Sequence, residues 1–281
     1  MQGELRIPKI AGKIGVYIIL VVGAIIFVGP FLWNVYSSFK VSWEIMGKQS
    51  LQLPTVLTGV HYIELFEAIP VAQNFLNSAI VTLAVVSSNL LFSSMTGYAL
   101  AKLRFFGRDF LFIIIIATLV LPFQVVFIPL YILIARGFHL ANTLAGVFLP
   151  SLMGAIPIFF FRQFYTTIPT ELIDASRIDG CSHFGSFFRI VLPNSKSALI
   201  TIAILAGTDS WNLFLWPLVV IKDTHKFTVQ LALTLLQKQA INMGWGRLLA
   251  GCALFSIPPL ILVLVLQRYF MESIALTGLK R

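Results

Sequence analysis

The chain has 281 residues, of which 58% are apolar and only 11% charged, with a net charge of +9. Soluble domains carry about 25% charged residues, so this composition argues against a water-soluble fold and for a bilayer-spanning one, where each helix needs roughly 20 apolar residues. The positive balance contains no Lys/Arg-rich run, which speaks against nucleic acid as a partner and for basic residues flanking spans.

Stretches almost free of charge predict six spans, at residues 14–39, 74–100, 110–135, 143–161, 197–221 and 248–267. The expected fold is all-α and polytopic, with one transmembrane domain over residues 1–281. The first stretch begins like a signal peptide, behind Arg6, Lys9 and Lys13. It is too long for one and lacks a small-residue cleavage site, so it is expected to stay as a span. Residues 40–73 form a mixed polar loop, 102–108 a short basic one, 162–196 a long polar one and 222–247 another polar one. Thirteen of the twenty Lys and Arg residues lie in the N-terminus, the 102–108 and 162–196 loops and the tail, against seven in the intervening loops. That bias predicts cytoplasmic N and C termini.

Pro122, Pro129, Pro150, Pro157, Pro217 and Pro258-Pro259 should bend spans three to six, because each removes a backbone donor and crowds the preceding turn. Ser93 and Gly97 make a small-xxx-small pair that allows close helix packing. Cys181 and Cys252 lie in a loop and at the start of the last apolar run, so no disulfide is expected.

Chemistry-bearing motifs are missing. No GxxxxGK[ST] phosphate loop, HExxH pair or GxSxG elbow occurs, and His61, His139, His183 and His225 are isolated. No catalytic or metal residues are assigned, and an intramembrane enzyme is disfavoured. An ion-coupled secondary transporter remains the alternative. Such a protein normally places several ionisable groups at mid-membrane, and this chain places one.

The longest polar interruption in the last two thirds runs from Pro169 to Pro193. Pro169 suits a helix start, and Thr170 is a candidate N-cap. Glu171 and Asp174 fall where a helix dipole favours anions. Leu172, Ala175 and Ser176 share a face at helical spacing, the last two small enough for a close approach. Gly180 fits a left-handed C-cap, Ser182 can cap a second helix, and Phe184, Phe187 and Phe188 are expected apolar anchors. Leu192-Pro193 should end that helix. The result is a helix-turn-helix with an acidic, small-residue edge.

The spacing within it is Asp174-Ala175-Ser176, three residues, Gly180, nine residues, Ile190, one residue, Leu192-Pro193. This resembles the EAA loop of ATP-binding-cassette importer permeases, with Asp for the usual Glu and Ser for the usual Ala. Asn77-Ser78-Ala79-Ile80-Val81, Gly97-Tyr98-Ala99-Leu100-Ala101, Ile178-Asp179-Gly180 and Trp211-Asn212 are similar to the carbohydrate branch, that of the smaller maltose-importer membrane subunit. The resemblance implies an importer permease for a sugar or related polyol, or for a glycerol phosphate. Its partners would be a second permease subunit, two ATPase subunits, an extracytoplasmic solute-binding protein and membrane lipid. It implies ATPase coupling by Glu171, Asp174, Ala175, Ser176, Asp179, Gly180, Ile190, Leu192 and Pro193. No cofactor is expected in this chain; ATP and magnesium would sit in the ATPases. The tail ending Gly278-Leu279-Lys280-Arg281 would also reach them.

Polar and aromatic side chains within the spans are candidates for the solute path, because sugars bind by hydroxyl hydrogen bonds and stacking. These are Asp209, Trp211, Asn212, Gln124 and Asn89, with Trp216 beside them. Asp209 is the only acidic or basic side chain inside a span, where a charge costs about 2.5–3.5 kcal/mol on insertion scales. It must therefore face the bundle, a partner or water, either as an inter-subunit pair or as a path residue.

Overall fold

The structure is a computed structural model and describes residues 9–46, 52 and 54–278. The expectations for Arg6 and for Leu279-Lys280-Arg281 lie outside the described residues. Among them the chain is helical, with no strand. In order the helices are α1 (Lys9–Ser37), α2 (Ser42–Met46), α3 (Val60–Ala68), α4 (Val71–Ser88), α5 (Ser94–Lys102), α6 (Arg108–Val120), α7 (Phe123–Ile132) and α8 (Leu144–Phe148). There follow α9 (Ala155–Thr166), α10 (Thr170–Ile178), α11 (His183–Ser186), α12 (Lys196–Trp211), α13 (Leu215–Val220), α14 (Val229–Met243), α15 (Gly246–Phe255) and α16 (Ile257–Gly278). Five continuous stretches are long and apolar enough to cross a membrane: Gly15–Ser37, Val71–Lys102, Leu144–Thr166, Pro193–Val220 and Gly246–Gln267. A sixth, Arg108–Val120 with Phe123–Gly137, is bent by 102° at its break.

The chain forms two compact units. One holds the described parts of Met1–Ile69 together with Leu233–Ser256. Its α1 exposes apolar side chains along Tyr17 to Phe27, as a lipid-facing helix should. At the end of α1 the chain turns through a buried polar knot. Lys40 is fully buried, with its ammonium 4.7 Å from the Trp33 ring centroid and 4.8 Å from that of Tyr36, and it donates to the Gln52 carbonyl at 2.8 Å. A cation held over aromatic faces in a desolvated site is worth about 2 kcal/mol or more. The carboxylate of buried Glu44 accepts from the Thr55 amide at 3.0 Å. His61, also buried, sits 2.9 Å from the Lys40 carbonyl through Nε2. A side chain at Gly246 would strike its ring at 2.3 Å.

The other unit holds Pro70–Ala232 and the described part of Ile257–Arg281. Its spine runs from Val71 to Lys102, with one π turn at Asn89–Ser93 between α4 and α5. α5 lies against α9 so closely that a Cβ on Gly97 would sit 2.6 Å from the Phe161 Cβ. Ser93 is fully buried on the same face, so the small-residue pair does pack as its spacing predicts. The loop before α14 is pinned to the start of the spine: Asn77 donates to the carbonyls of His225 and Phe227 at 2.9 Å, and Ser78 Oγ accepts from the Val229 amide at 2.9 Å.

Three further spans of this unit are interrupted. The third breaks at Leu121-Pro122, the fourth runs through a 3-10 turn at Leu149–Ser151 and restarts at Ala155, and the fifth pauses between Trp211 and Leu215. Pro122, Pro150 and Pro157 stand at the first two breaks, where their missing N–H groups leave nothing to orphan.

Candidate functional site

Residues 169–195 fold as a helix-turn-helix against the ends of α5, α9 and α12. Ile173, Phe187 and Val191 are buried in a cluster with Tyr98, Phe161, Tyr165 and Ile202. The Phe187 ring lies 5.4 Å from that of Tyr98. Lys102, at the foot of the spine, donates to the Ile168 carbonyl at 2.5 Å and reaches Thr170 Oγ1 at 3.4 Å. The loop is thus clamped to the spans on both sides rather than hanging from them.

Local chemistry explains the turn. Gly180 has φ +85°, the left-handed region expected of a C-cap. The Cys181 amide donates back to the Ser176 carbonyl at 2.9 Å, and Arg177 donates to the Cys181 carbonyl at 2.6 Å. Ser182 Oγ accepts from the Gly185 amide at 3.1 Å and caps α11. Thr170 does not cap α10: Pro169 stands at the N-cap, no side chain bonds the first turn there, and Thr170 is the first helical residue. Leu192-Pro193 does end the second helix, after Val191, without ending the chain's helical course. A 3-10 turn, Pro193–Ser195, carries it directly into α12, since proline is tolerated where the first N–H groups are free.

The two faces of α10 divide otherwise than the spacing suggests. Glu171, Leu172, Asp174, Ala175, Ile178 and Asp179 are exposed, with Ile178 87% so. Ser176 is not on that edge. It is buried, and its Oγ lies 2.6 Å from Ser186 Oγ, a bond that ties the two helices together. Of the three phenylalanines only Phe187 is an anchor; Phe184 and Phe188 are 63% and 46% exposed. Ile190 and Leu192 are half-buried. The loop therefore offers an acidic and apolar outer surface over a packed inner one.

The second feature is a cleft of about 630 Å³ in the same unit, where the helix breaks converge. Asn89 from the π turn, Thr118 and Phe123 from the bent third span, Ser151 and Gly154 from the fourth, and Asp209 and Ser210 from the fifth all line it. Irregular backbone at membrane depth is tolerated only inside protein or beside a water-filled cavity, so these interruptions and the cleft account for one another. Asn89 is buried and fully committed. Its amide group donates to the Val85 and Ser151 carbonyls, and its oxygen accepts from Ser93 Oγ and the Gly154 amide, all at 2.9 Å. It fastens the π turn to the break in the fourth span and has no free group for a ligand.

The remaining path candidates separate. Asp209 faces the cleft, exposed, and no described residue hydrogen-bonds or pairs with its carboxylate. Trp211 is buried with its ring 5.9 Å from that of Phe75, and Asn212 accepts from Gln230 at 3.0 Å. Neither lines the cleft; they close the break after α12. Gln124 is exposed beyond it, and Trp216 is buried, donating to the Gly146 carbonyl at 3.0 Å. Residues that the sequence did not single out, Thr118 and Ser151, line the cleft with Asp209. Their only signal was proximity to Pro122 and Pro150. Cys181 and Cys252 are both free thiols, and no group of three potential metal ligands occurs among the described residues.

Comparison with known proteins gives this geometry a context. Residues 89–275 match the family described as "Binding-protein-dependent transport system inner membrane component". The arabinooligosaccharides transport system permease protein AraQ of Halalkalibacterium halodurans is 41% identical over 92% of each chain. The sn-glycerol-3-phosphate transport system permease protein UgpE of Pectobacterium atrosepticum is 34% identical over 73% of each chain. The fold is shared with a chain of a bacterial ABC transporter involved in the import of the acidic polysaccharide alginate. That match has a TM-score of 0.79 and 21% identity, covering 96% of this chain and 100% of that one.

Proposed function

Because the chain belongs to the binding-protein-dependent transport system inner membrane component family, we propose that it is the multi-pass inner-membrane permease subunit of an ATP-driven importer carrying a sugar or a related polyol. It works with other components of that system. The partners we assign are a second permease subunit, two ATPase subunits and an extracytoplasmic solute-binding protein, in surrounding lipid. ATP and magnesium belong to the ATPases, and this chain performs no covalent chemistry. Both termini and the 169–193 loop face the cytoplasm.

The observation that carries the mechanism is the clamped loop. An outer face of Glu171, Leu172, Asp174, Ala175, Ile178 and Asp179 is open to an ATPase, while Ile173, Phe187 and Val191 lock the inner face to the spans. Gly180 sets the turn, and Ser176, Ile190, Leu192 and Pro193 hold its shape from within and behind. Motion of docked ATPases therefore passes to the spans as a rigid-body displacement. Solute crosses by alternating access through the cleft beside Asp209.

The sugar assignment draws support from the relative named for arabinooligosaccharides, which matches over 92% of the chain. A glycerol phosphate is the second reading, because a relative named for that solute matches over 73%. The test is ATP-driven uptake of an arabino-oligosaccharide by the tagged chain and its co-purified subunits in proteoliposomes. Uptake should require ATP and survive an uncoupler. Uptake that an uncoupler stops, or purification with no ATPase, would overturn the assignment. Cys181 should resist an impermeant thiol reagent in sealed cells; labelling from outside would invert the topology.

A further inference from the structure

Asp209 occupies an unfavourable place for a carboxylate in three ways. It lies within a span, where a charge is costly to insert. It stands in the last turn of α12, where the helix end carries partial negative charge. And of the residues that line the cleft it alone is charged, with no cation among the described residues to balance it. The rest of the wall is mostly apolar, Ile202, Leu213 and Phe123 among it. The hydroxyls of Thr118 and Ser210 are turned to the carbonyls of Ile115 and Ala206 in their own helices. Among the described residues, the field in the cleft is therefore set by one unopposed negative charge between low-dielectric walls, which focus it.

We propose that Asp209 is a charge-selecting residue, one that makes the cleft a passage for uncharged polyhydroxylated solutes and works against anionic ones. The proposal rests on the cleft being the solute path. A neutral saccharide offers hydroxyl donors to the carboxylate and C–H faces to the apolar wall, and 630 Å³ falls within the usual range of small-molecule sites, about 300–1,000 Å³. A phosphate or uronate meets a like charge instead. At an effective permittivity of about 20, a like charge about 8 Å away is disfavoured more than tenfold. Of the two solute classes proposed above, the neutral sugar is then selected.

The test measures the field without relying on the solute-binding protein, which imposes a preference of its own. Ser151→Cys is introduced with Cys181→Ser and Cys252→Ser, and the assembled complex is reconstituted in proteoliposomes. Modification rates are compared for a cationic and an anionic methanethiosulfonate of equal size, with and without Asp209→Asn. The expected result is faster modification by the cationic reagent, with a cationic-to-anionic ratio that falls more than about a hundredfold in Asp209→Asn, because the carboxylate attracts one reagent and repels the other. Thr118→Cys provides the same readout independently of Ser151. A ratio unchanged by Asp209→Asn overturns the charge inference and leaves the path intact. A ratio favouring the anionic reagent while Asp209 is present means that a partner subunit's cation neutralises the carboxylate, and also overturns it. Labelling at neither cysteine, with or without ATP, refutes the cleft as the path itself.

Discussion

The loop at 169–195 and the cleft around Asp209 belong to the same unit and are built on opposite plans. The loop is a tight assembly: Ile173, Ser176, Phe187 and Val191 are each no more than 5% exposed, and its turn is fixed by one left-handed glycine and one serine cap. The cleft is an absence of packing, framed by a π turn and three interrupted spans. A part that transmits motion must not deform under load, whereas a part that lets a solute pass must hold open space with its backbone groups satisfied. The same apolar sequence yields both a packed loop and an open cleft by placing glycine, serine and proline differently.

The sharpest way to break the contrast is Gly180→Val. A β-branched residue resists φ +85°, so the turn must rearrange and α10 must leave its seat. Uptake should fall to background while the protein remains in the membrane at normal abundance, read by quantitative immunoblot beside transport. Phe187→Ala comes next. Emptying a 1% exposed aromatic site costs about 3–5 kcal/mol, and the complex should continue to hydrolyse ATP with little uptake. Uptake kept in proportion to ATP hydrolysis would show that the packed inner face is not what couples them.

Smaller effects sharpen the comparison from the other side. Asp209→Leu should reduce uptake about tenfold or more, the loss of roughly one charge-assisted contact, while Asp209→Asn retains assembly and alters solute preference. Normal transport by the leucine variant would leave the cleft without a working carboxylate. Asp174→Lys, on the exposed face of α10, should weaken ATPase co-purification several-fold, the scale of a rim charge reversal at about 1 kcal/mol. An unchanged yield of ATPase would move the docking surface elsewhere on the loop.

Much of this was legible in the sequence because single residues carry it. Gly180 and Ser182 announce their turn and cap by residue type alone, and charge-free stretches announce the spans. What stayed hidden depended on neighbours. Whether Ser176 faces out or in is decided by Ser186 across the turn, and of the three phenylalanines only Phe187 joins the buried cluster of Tyr98, Phe161 and Tyr165. The Trp211-Asn212 pair, a path candidate by residue type, stands at a helix break outside the cleft lining and contacts Phe75 and Gln230. The polar stretches 40–73 and 222–247 contain α3 and α14. A search for apolar runs passes over them, although Val229, Ala232, Leu236 and Ala240 recur at helical spacing and are all buried.

Val71–Lys102 is 32 residues, so its axis is about 48 Å long at 1.5 Å per residue, against a hydrocarbon thickness of about 30 Å. Hiding all of it would take a tilt of about 50°, beyond the 0–40° that spanning helices adopt. Even at about 40° some 7 Å, more than one helical turn, must stand clear of the hydrocarbon. The polar side chains of Gln73, Asn74 and Asn77 occupy the first two turns, and Lys102 stands at the other end. This mismatch turns the spine into a mast. Its ends project past the hydrocarbon, one gripping the carbonyls of His225 and Phe227 and the other that of Ile168, so the loops it carries are held at headgroup level or beyond, at a height the hydrocarbon does not set.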